Sequence, residues 1–265
     1  MGRALMDPRT SVRVVDGVGD VARQGAEALV SCVSGRRPEQ PCRVMFSGGT
    51  TPEPMYRFLA SEPTRSRIDW NSIECFLSDE RPVPPEDPDS NYGLFRRSVI
   101  EPFGLMAPRT YRIRGEASDL DLSARRYEAL IRSRFSVFPP DIPSFDLVYL
   151  GLGQDGHTAS LFPGVEIPDD GRLVVAVWVE ALHQKRVTAT FRLLNAARRV
   201  MFLVAGKEKA RAVKRTLAPG RGEEPTPASR VSPRDGEVIW VLDREAAANL
   251  PAAVAGAGGP ERGRR

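Results

Sequence analysis

Apolar and polar positions along the chain switch between two periods, and the switches lay out its elements. Between residues 20 and 33, Val21, Ala22, Ala26, Leu29, Val30 and Val33 recur near one helical face, predicting a helix that Gly35 ends. An apolar run at 43–46 reads as a strand. Pro52 then opens a helix reaching Leu59, at a position where a missing N–H costs nothing. A second strand spans 73–77. Pro82, Pro84, Pro85 and Pro88 stiffen the loop behind it, and Ser90 or Asp89 caps a helix to about Ile100. Helical spacing returns at 120–135. Strands follow at 145–150, 174–179, 187–190 and 200–204, then a helix to about Leu217. A last strand at 238–242 ends in Asp243, placed to cap a short Ala-rich helix, and the stretch from Pro251 predicts a loose tail.

Strand, glycine-bearing turn and helix, repeated, predict an α/β fold: a single-domain, mostly parallel open sheet with helices on both faces, Rossmann-like. Residues 1–15 read as an N-terminal extension, 16–250 as the domain and 251–265 as a flexible tail. The most polar, glycine-rich turns fall at strand carboxyl ends, where such sheets bind ligands.

Composition narrows the function. The chain has 265 residues, 41% of them hydrophobic, which supports a packed core. Its 38 Lys and Arg against 34 Asp and Glu leave a net charge of +4 without a basic run. That argues against a nucleic-acid partner and for a small anionic ligand. The apolar runs fall far short of the ~20 residues of a membrane helix, and the first seven residues lack the apolar stretch of a secretory signal. Cys32, Cys42 and Cys75 have neither metal-ligand spacing nor the numbers for a disulfide framework. They predict reduced thiols and a cytoplasmic protein, with no membrane partner.

Two turns carry the sharpest chemistry. In Ser47-Gly48-Gly49-Thr50-Thr51-Pro52, glycines let backbone N–H groups approach an anion, the helix N-terminus adds positive potential and Thr50 and Thr51 offer hydroxyls. It lacks the Gly-Lys-Ser/Thr ending of a nucleotide loop. In Gly151-Leu152-Gly153-Gln154-Asp155-Gly156-His157-Thr158, one of only two histidines follows an aspartate by two residues. Histidine is the side chain best suited to take a proton near neutral pH, and a carboxylate can orient it. Asp79-Glu80-Arg81 follows the second strand, where a carboxylate could position ligand or water and Arg81 could offset developing oxyanion charge. Arg186 and Lys209 are candidate phosphate partners, with Lys207 and Arg211 as alternatives; His183 reads as incidental. No Gly-x-Ser-x-Gly elbow appears. The residues therefore point to a histidine-activated water acting on a reactive electrophile, with no metal and no organic cofactor.

Three blocks resemble the 6-phosphogluconolactonase family, within the glucosamine/galactosamine-6-phosphate isomerase superfamily. They are Phe46-Ser47-Gly48-Gly49-Thr50-Thr51-Pro52, Ser78-Asp79-Glu80-Arg81-Pro82-Val83-Pro84 with Asp89-Ser90-Asn91-Tyr92, and the run from Gly151 through His157-Thr158-Ala159-Ser160-Leu161-Phe162-Pro163-Gly164. The resemblance spans roughly residues 16–248. It implies hydrolysis of 6-phospho-D-glucono-1,5-lactone, with His157 as the base, Asp155 assisting it or fixing the sugar, and Arg81 near the lactone carboxyl group. Gly48, Gly49, Thr50 and Thr51 would hold the phosphate with Arg186 and Lys209, and Gly153 would allow close backbone approach. Asp79 matches a catalytic aspartate of related deaminases. The expected partner is a small-molecule substrate and the expected state a monomer, at most a weak dimer. The rivals are an amino-sugar-phosphate deaminase or isomerase and a non-catalytic sugar-phosphate sensor. The deaminases carry Asn-Glu-Pro after the histidine, where this chain has Thr158-Ala159-Ser160. A sensor of the transcription-regulator kind needs a DNA-binding module, for which the residues before the first strand offer one helix.

Overall fold

The computed structural model describes residues 9–103 and 109–255; the leading residues and charged end considered above lie outside them. Seven strands form one parallel sheet in the order β1-β10-β9-β6-β2-β3-β5. These are β1 (Thr10–Val15), β2 (Cys42–Phe46), β3 (Ile73–Leu77), β5 (Arg109–Tyr111), β6 (Leu147–Leu150), β9 (Arg199–Val204) and β10 (Glu237–Asp243). Every residue of β3 and β6 is buried. Burial without alternation means that both faces of the sheet are covered, the signature of a parallel α/β layer. The covering elements include α1 (Val18–Val33), α2 (Pro52–Ala60), α3 (Asn91–Phe95), α4 (Leu120–Phe135), α5 (Phe191–Leu194) and α6 (Ala210–Leu217).

The expected single open sheet gains a second, smaller one. β7 (Val174–Val179) and β8 (Gln184–Ala189) pair with each other antiparallel rather than joining the main sheet, and a two-residue β4 (Asp79–Glu80) adds to β8. The link from β7 to β8 is residues 180–183, too short for the crossover that parallel strands need. α4 fastens this sheet to the body: Glu128 Oε2 accepts from the N–H of Leu173 at 2.7 Å.

Other expectations are corrected. Residues 10–15, assigned to an extension, form an edge strand in register with β10 from Thr10↔Val238 to Val15↔Asp243. Arg109–Tyr111 closes the opposite edge. The segment after Asp243 forms turns rather than a helix, although Asp243 Oδ1 still accepts the Ala246 N–H at 2.7 Å. Inside the supposed tail, Ala252–Ala255 forms a short α7. Finally, Cys32 and Cys42 are joined by a disulfide, leaving Cys75 as the free, buried cysteine among the described residues. The chain turns back from the end of α1 into β2 and brings the two Cα atoms to 6.5 Å, within bridging range. No helix among the described residues is long and apolar enough to cross a membrane.

The core is aromatic where the sheet is deepest. Phe46 packs on Phe95 at 4.7 Å and on Tyr149 at 5.5 Å between ring centroids. Buried Glu74 on β3 accepts from Arg43 Nε and Arg134 Nε, each at 3.0 Å. Burial alone would raise the Glu74 pKa, but the two guanidinium partners outweigh it and hold the carboxyl below its ordinary range.

Candidate active site

Strand order fixes where the site opens. β2 and β6 are neighbours, yet β3 lies on the far side of β2 and β9 on the far side of β6. The connections leaving their carboxyl ends therefore part, and a crevice opens between them. A cavity of about 160 Å³ lies there, lined by 47–52 after β2, Asp79 and Arg81 after β3, 151–153 and 157–159 after β6, and Lys209 after β9. Asn91 at the start of α3 completes the wall.

The turn after β2 is fastened from below. Ser47 Oγ donates to the Tyr149 carbonyl at 2.6 Å, and the Tyr56 hydroxyl donates to the Ser47 carbonyl. Gly49 has φ +99°, a backbone that side chains rarely adopt, with open space where a Cβ would stand. Gly48 is a glycine for a different reason: a Cβ there would lie 1.6 Å from Asn91 Oδ1. Thr50 and Thr51 line the cavity.

His157 is held on three sides. Asp155 Oδ1 lies 2.6 Å from its Nδ1 and also accepts its backbone N–H at 3.0 Å. The Phe162 ring stacks on the imidazole at 4.1 Å between centroids and 26° between planes. A Cβ on Gly153 would stand 2.0 Å from Nδ1, so this glycine makes room for the imidazole rather than for a ligand. With Nδ1 occupied by the carboxylate, Nε2 is the nitrogen left to exchange a proton. Burial raises the Asp155 pKa, but the bonds from His157 outweigh it and keep the carboxyl below its ordinary range. Asp155 is not among the residues lining the cavity; it borders a separate groove with Phe162 and Trp178. Its geometry fits a role in holding His157 better than direct contact with a sugar.

Asp79 and Glu80 are both buried but differently used. Asp79 accepts from Ser78 Oγ at 2.9 Å and Ser160 Oγ at 2.7 Å. Glu80 organises the next loop: Oε1 accepts the N–H groups of Arg81 and Asn91 at 2.9 and 2.8 Å, and Oε2 that of Tyr92 at 2.9 Å. Burial raises the Glu80 pKa above the ordinary carboxyl range, despite these donors. Arg81 lines the cavity and donates to the Asp89 carbonyl. Arg186 is not among the lining residues. Its Nε is buried without a partner, and burial, then the field of Arg81, lowers its pKa. The carboxylates of Asp79, Glu80 and Asp89 act on it in the opposite sense. Of the three basic candidates after β9, Lys209 lines the cavity, and Lys207 and Arg211 are not among its lining residues. No group of three or more His, Cys, Asp or Glu able to hold a metal occurs among the described residues.

The profile of the family described as glucosamine-6-phosphate isomerases/6-phosphogluconolactonase matches residues 18–240. The chain belongs to this family. Within it, a 6-phosphogluconolactonase from Synechocystis sp. is 38% identical over 207 residues, 78% of this chain and 84% of that protein. The human 6-phosphogluconolactonase is 34% identical over 236 residues, 87% and 88% of the two chains. Among solved structures, 6-phosphogluconolactonase from Trypanosoma cruzi superposes with a TM-score of 0.80 at 26% identity, covering 94% of this chain and all of that one. A monomeric glucosamine-6-phosphate deaminase reaches a TM-score of 0.74 at 22% identity, covering 90% of this chain and 99% of that one, a likeness of fold alone. Both kinds of chemistry thus sit on one framework, and the residues at the crevice must decide between them.

Asn91, Ser160 and Phe162 are functional neighbours of the site to which their sequence positions assign no role. Two of the contacts are long-range: Ser160 reaches Asp79 across 81 positions, and Asn91 fills the space above Gly48. The nearest sequence signal is the helix cap at Asp89 or Ser90, beside Asn91.

Proposed function

We propose that the protein hydrolyses 6-phospho-D-glucono-1,5-lactone to 6-phospho-D-gluconate, a step of the oxidative pentose phosphate pathway, with His157 as general base. The observation that carries this reading is the pairing of Asp155 with Nδ1 of an imidazole that shares a cavity with the glycine-rich turn after β2. Relatives bearing the 6-phosphogluconolactonase name support the same substrate.

The chemistry follows from the parts. Gly49, Thr50 and Thr51 receive the phosphate with Lys209 as a point charge, which orients the ring for attack. His157 Nε2 takes a proton from water as the oxygen bonds to C1 of the lactone. Arg81 offsets the negative charge that develops on the former carbonyl oxygen. The tetrahedral carbon then expels the ring oxygen, the C1–O5 bond breaks, and the proton held by His157 returns to that oxygen. A general base in such a step contributes roughly 10²–10⁴-fold. Arg186 adds charge for the phosphate, and Asp79 fixes the wall through Ser78 and Ser160.

The deciding experiment compares two substrates with the purified protein. Lactone loss above the spontaneous rate, without ammonia release from glucosamine 6-phosphate, is expected. Ammonia release with no effect on the lactone would replace the reading by deamination, and binding of 6-phosphogluconate without turnover would make the protein a sensor. A cytoplasmic location belongs to the same reading, although disulfides are rare there. Alkylation in fresh lysate under denaturing conditions should label Cys75 alone, the Cys32–Cys42 bridge being closed; labelling of all three cysteines would show that bridge open in the cell.

A further inference from the structure

We propose that Asn91 is a substrate-binding residue: its Oδ1 accepts a hydrogen bond from one ring hydroxyl of the sugar-phosphate lactone and makes the enzyme selective for that hydroxyl. The inference rests on the lactonase reading above and adds to it the acceptor that reads the ring.

Asn91 is 2% exposed and lines the cavity. Three contacts lock it. Its backbone N–H donates to Glu80 Oε1 at 2.8 Å, its Nδ2 donates to the Asp79 carbonyl at 2.9 Å, and its Oδ1 occupies the space that a side chain at Gly48 would need. The Nδ2 bond settles which way the amide faces, because only an N–H can donate to a carbonyl. Oδ1 is then a buried acceptor that receives nothing from the protein. Such an atom is unfavourable unless a ligand or water donates to it. Asp79, the carboxylate on the same wall, already has an oxygen engaged by Ser78 and the other by Ser160. Arg81 and Lys209 are donors only. Asn91 lines the cavity between the phosphate turn and Arg81, and its carboxamide oxygen is an acceptor there that no protein group satisfies. The 1,5-lactone has free hydroxyls on C2, C3 and C4, each a donor, and its phosphate and carbonyl offer no donor of comparable reach.

Kinetics with 6-phosphoglucono-1,5-lactones lacking one hydroxyl at C2, C3 or C4 tests this. Wild-type turnover of the intact lactone comes first, and its absence would refute the lactonase reading itself. With that turnover present, Asn91→Ala is expected to lower kcat/KM for the intact lactone by about 5- to 30-fold. One deoxy lactone should be a poor substrate for the wild type by a similar factor, and Asn91→Ala should cost nothing further on that compound while still impairing the other two. Equal losses for Asn91→Ala on all three deoxy lactones would overturn the assignment. Should the variant fold poorly, a crystal structure of the wild type with 6-phosphogluconate decides. A sugar hydroxyl within about 3.2 Å of Oδ1 supports the proposal, and an Oδ1 facing only water or protein refutes it.

Discussion

The two histidines among the described residues make a natural experiment. Each follows an acidic residue closely, Asp155 two positions before His157 and Glu180 three before His183. In sequence they share a nearby carboxylate, but only His157 lies in a glycine-rich turn after a strand. In the fold, Asp155 and His157 meet at 2.6 Å with the ring stacked on Phe162, and the imidazole is 30% exposed. His183 and Glu180 stand 3.9 Å apart, 81% and 82% exposed, on the turn between β7 and β8. An exposed pair of this kind contributes little, because water competes for both partners. A histidine becomes a candidate base when a carboxylate, a ring and a glycine gap together fix its orientation beside a cavity. Spacing supplies the first of these and the fold supplies the rest.

Replacing each histidine breaks the comparison most sharply. His157→Gln should lower kcat for lactone hydrolysis by about 10²–10⁴-fold, with a much smaller change in affinity for 6-phosphogluconate because the phosphate contacts remain. His183→Gln should match the wild type in both measurements. A comparable loss in the two variants would mean that the tether described here does not select the base.

The next effect tests the tether itself. Asp155→Asn removes the charge that stabilises a protonated imidazole, and kcat should fall by roughly 10- to 100-fold, within the range of losing a charge-assisted partner. Glu180→Gln should be silent. Acidity offers a second readout. Because the folded Asp155 carboxyl titrates below its ordinary value, its contribution to stability is present above the unfolded pKa of about 3.9 and is lost as pH falls through the folded value. The Tm gap between wild type and Asp155→Asn should therefore be steady at pH 5–7 and close below pH ~3.9. It should also be small, since about half of Asp155 is exposed.

Phe162→Leu gives a smaller, more selective effect. Leucine keeps the apolar contact and gives up the flat face, so kcat should drop a few-fold with KM nearly unchanged, in line with the ~0.5–1.5 kcal/mol of an aromatic pair. Phe162→Tyr should restore most of it. A loss shared equally by kcat/KM for every substrate and by Tm would mark the ring as packing alone.

These contrasts also show what was legible beforehand. The helix at Leu120–Phe135 and the strand at Ile73–Leu77 have the predicted bounds because their own residues carry the period or the apolar run. The edge strands do not announce themselves: β1 has one buried residue, Val12, and β5 has none, so their strand character comes from hydrogen bonds to a neighbour far along the chain. The site divides in the same way. The 47–52 turn and Asp155-Gly156-His157 are local and readable. Asn91 against Gly48, Ser160 against Asp79 and Cys32 against Cys42 are tertiary juxtapositions that no spacing rule encodes. Gly48 and Gly153 were readable as glycines near a ligand, but the groups that require them are Asn91 and His157.

Glu80 supplies the mildest test and the converse of Asp155. Both carboxyls accept backbone N–H groups, yet His157 outweighs burial at Asp155, and burial prevails at Glu80. A carboxyl whose folded pKa is raised keeps its proton to higher pH in the native state than in the unfolded chain. Its stabilising contribution is full below the unfolded value of about 4.3 and declines as pH rises through the folded value. Glu80→Gln cannot lose a proton, and its amide group gives up an acceptor needed by the Arg81, Asn91 and Tyr92 N–H groups. The variant should therefore be less stable than the wild type at pH 4, and the difference in Tm should shrink as pH rises toward 7 and the wild-type carboxylate ionises. A difference that instead widened with pH would mean that the three N–H donors, and not burial, govern this group, which would place Glu80 with Asp155 as a carboxylate the fold keeps charged.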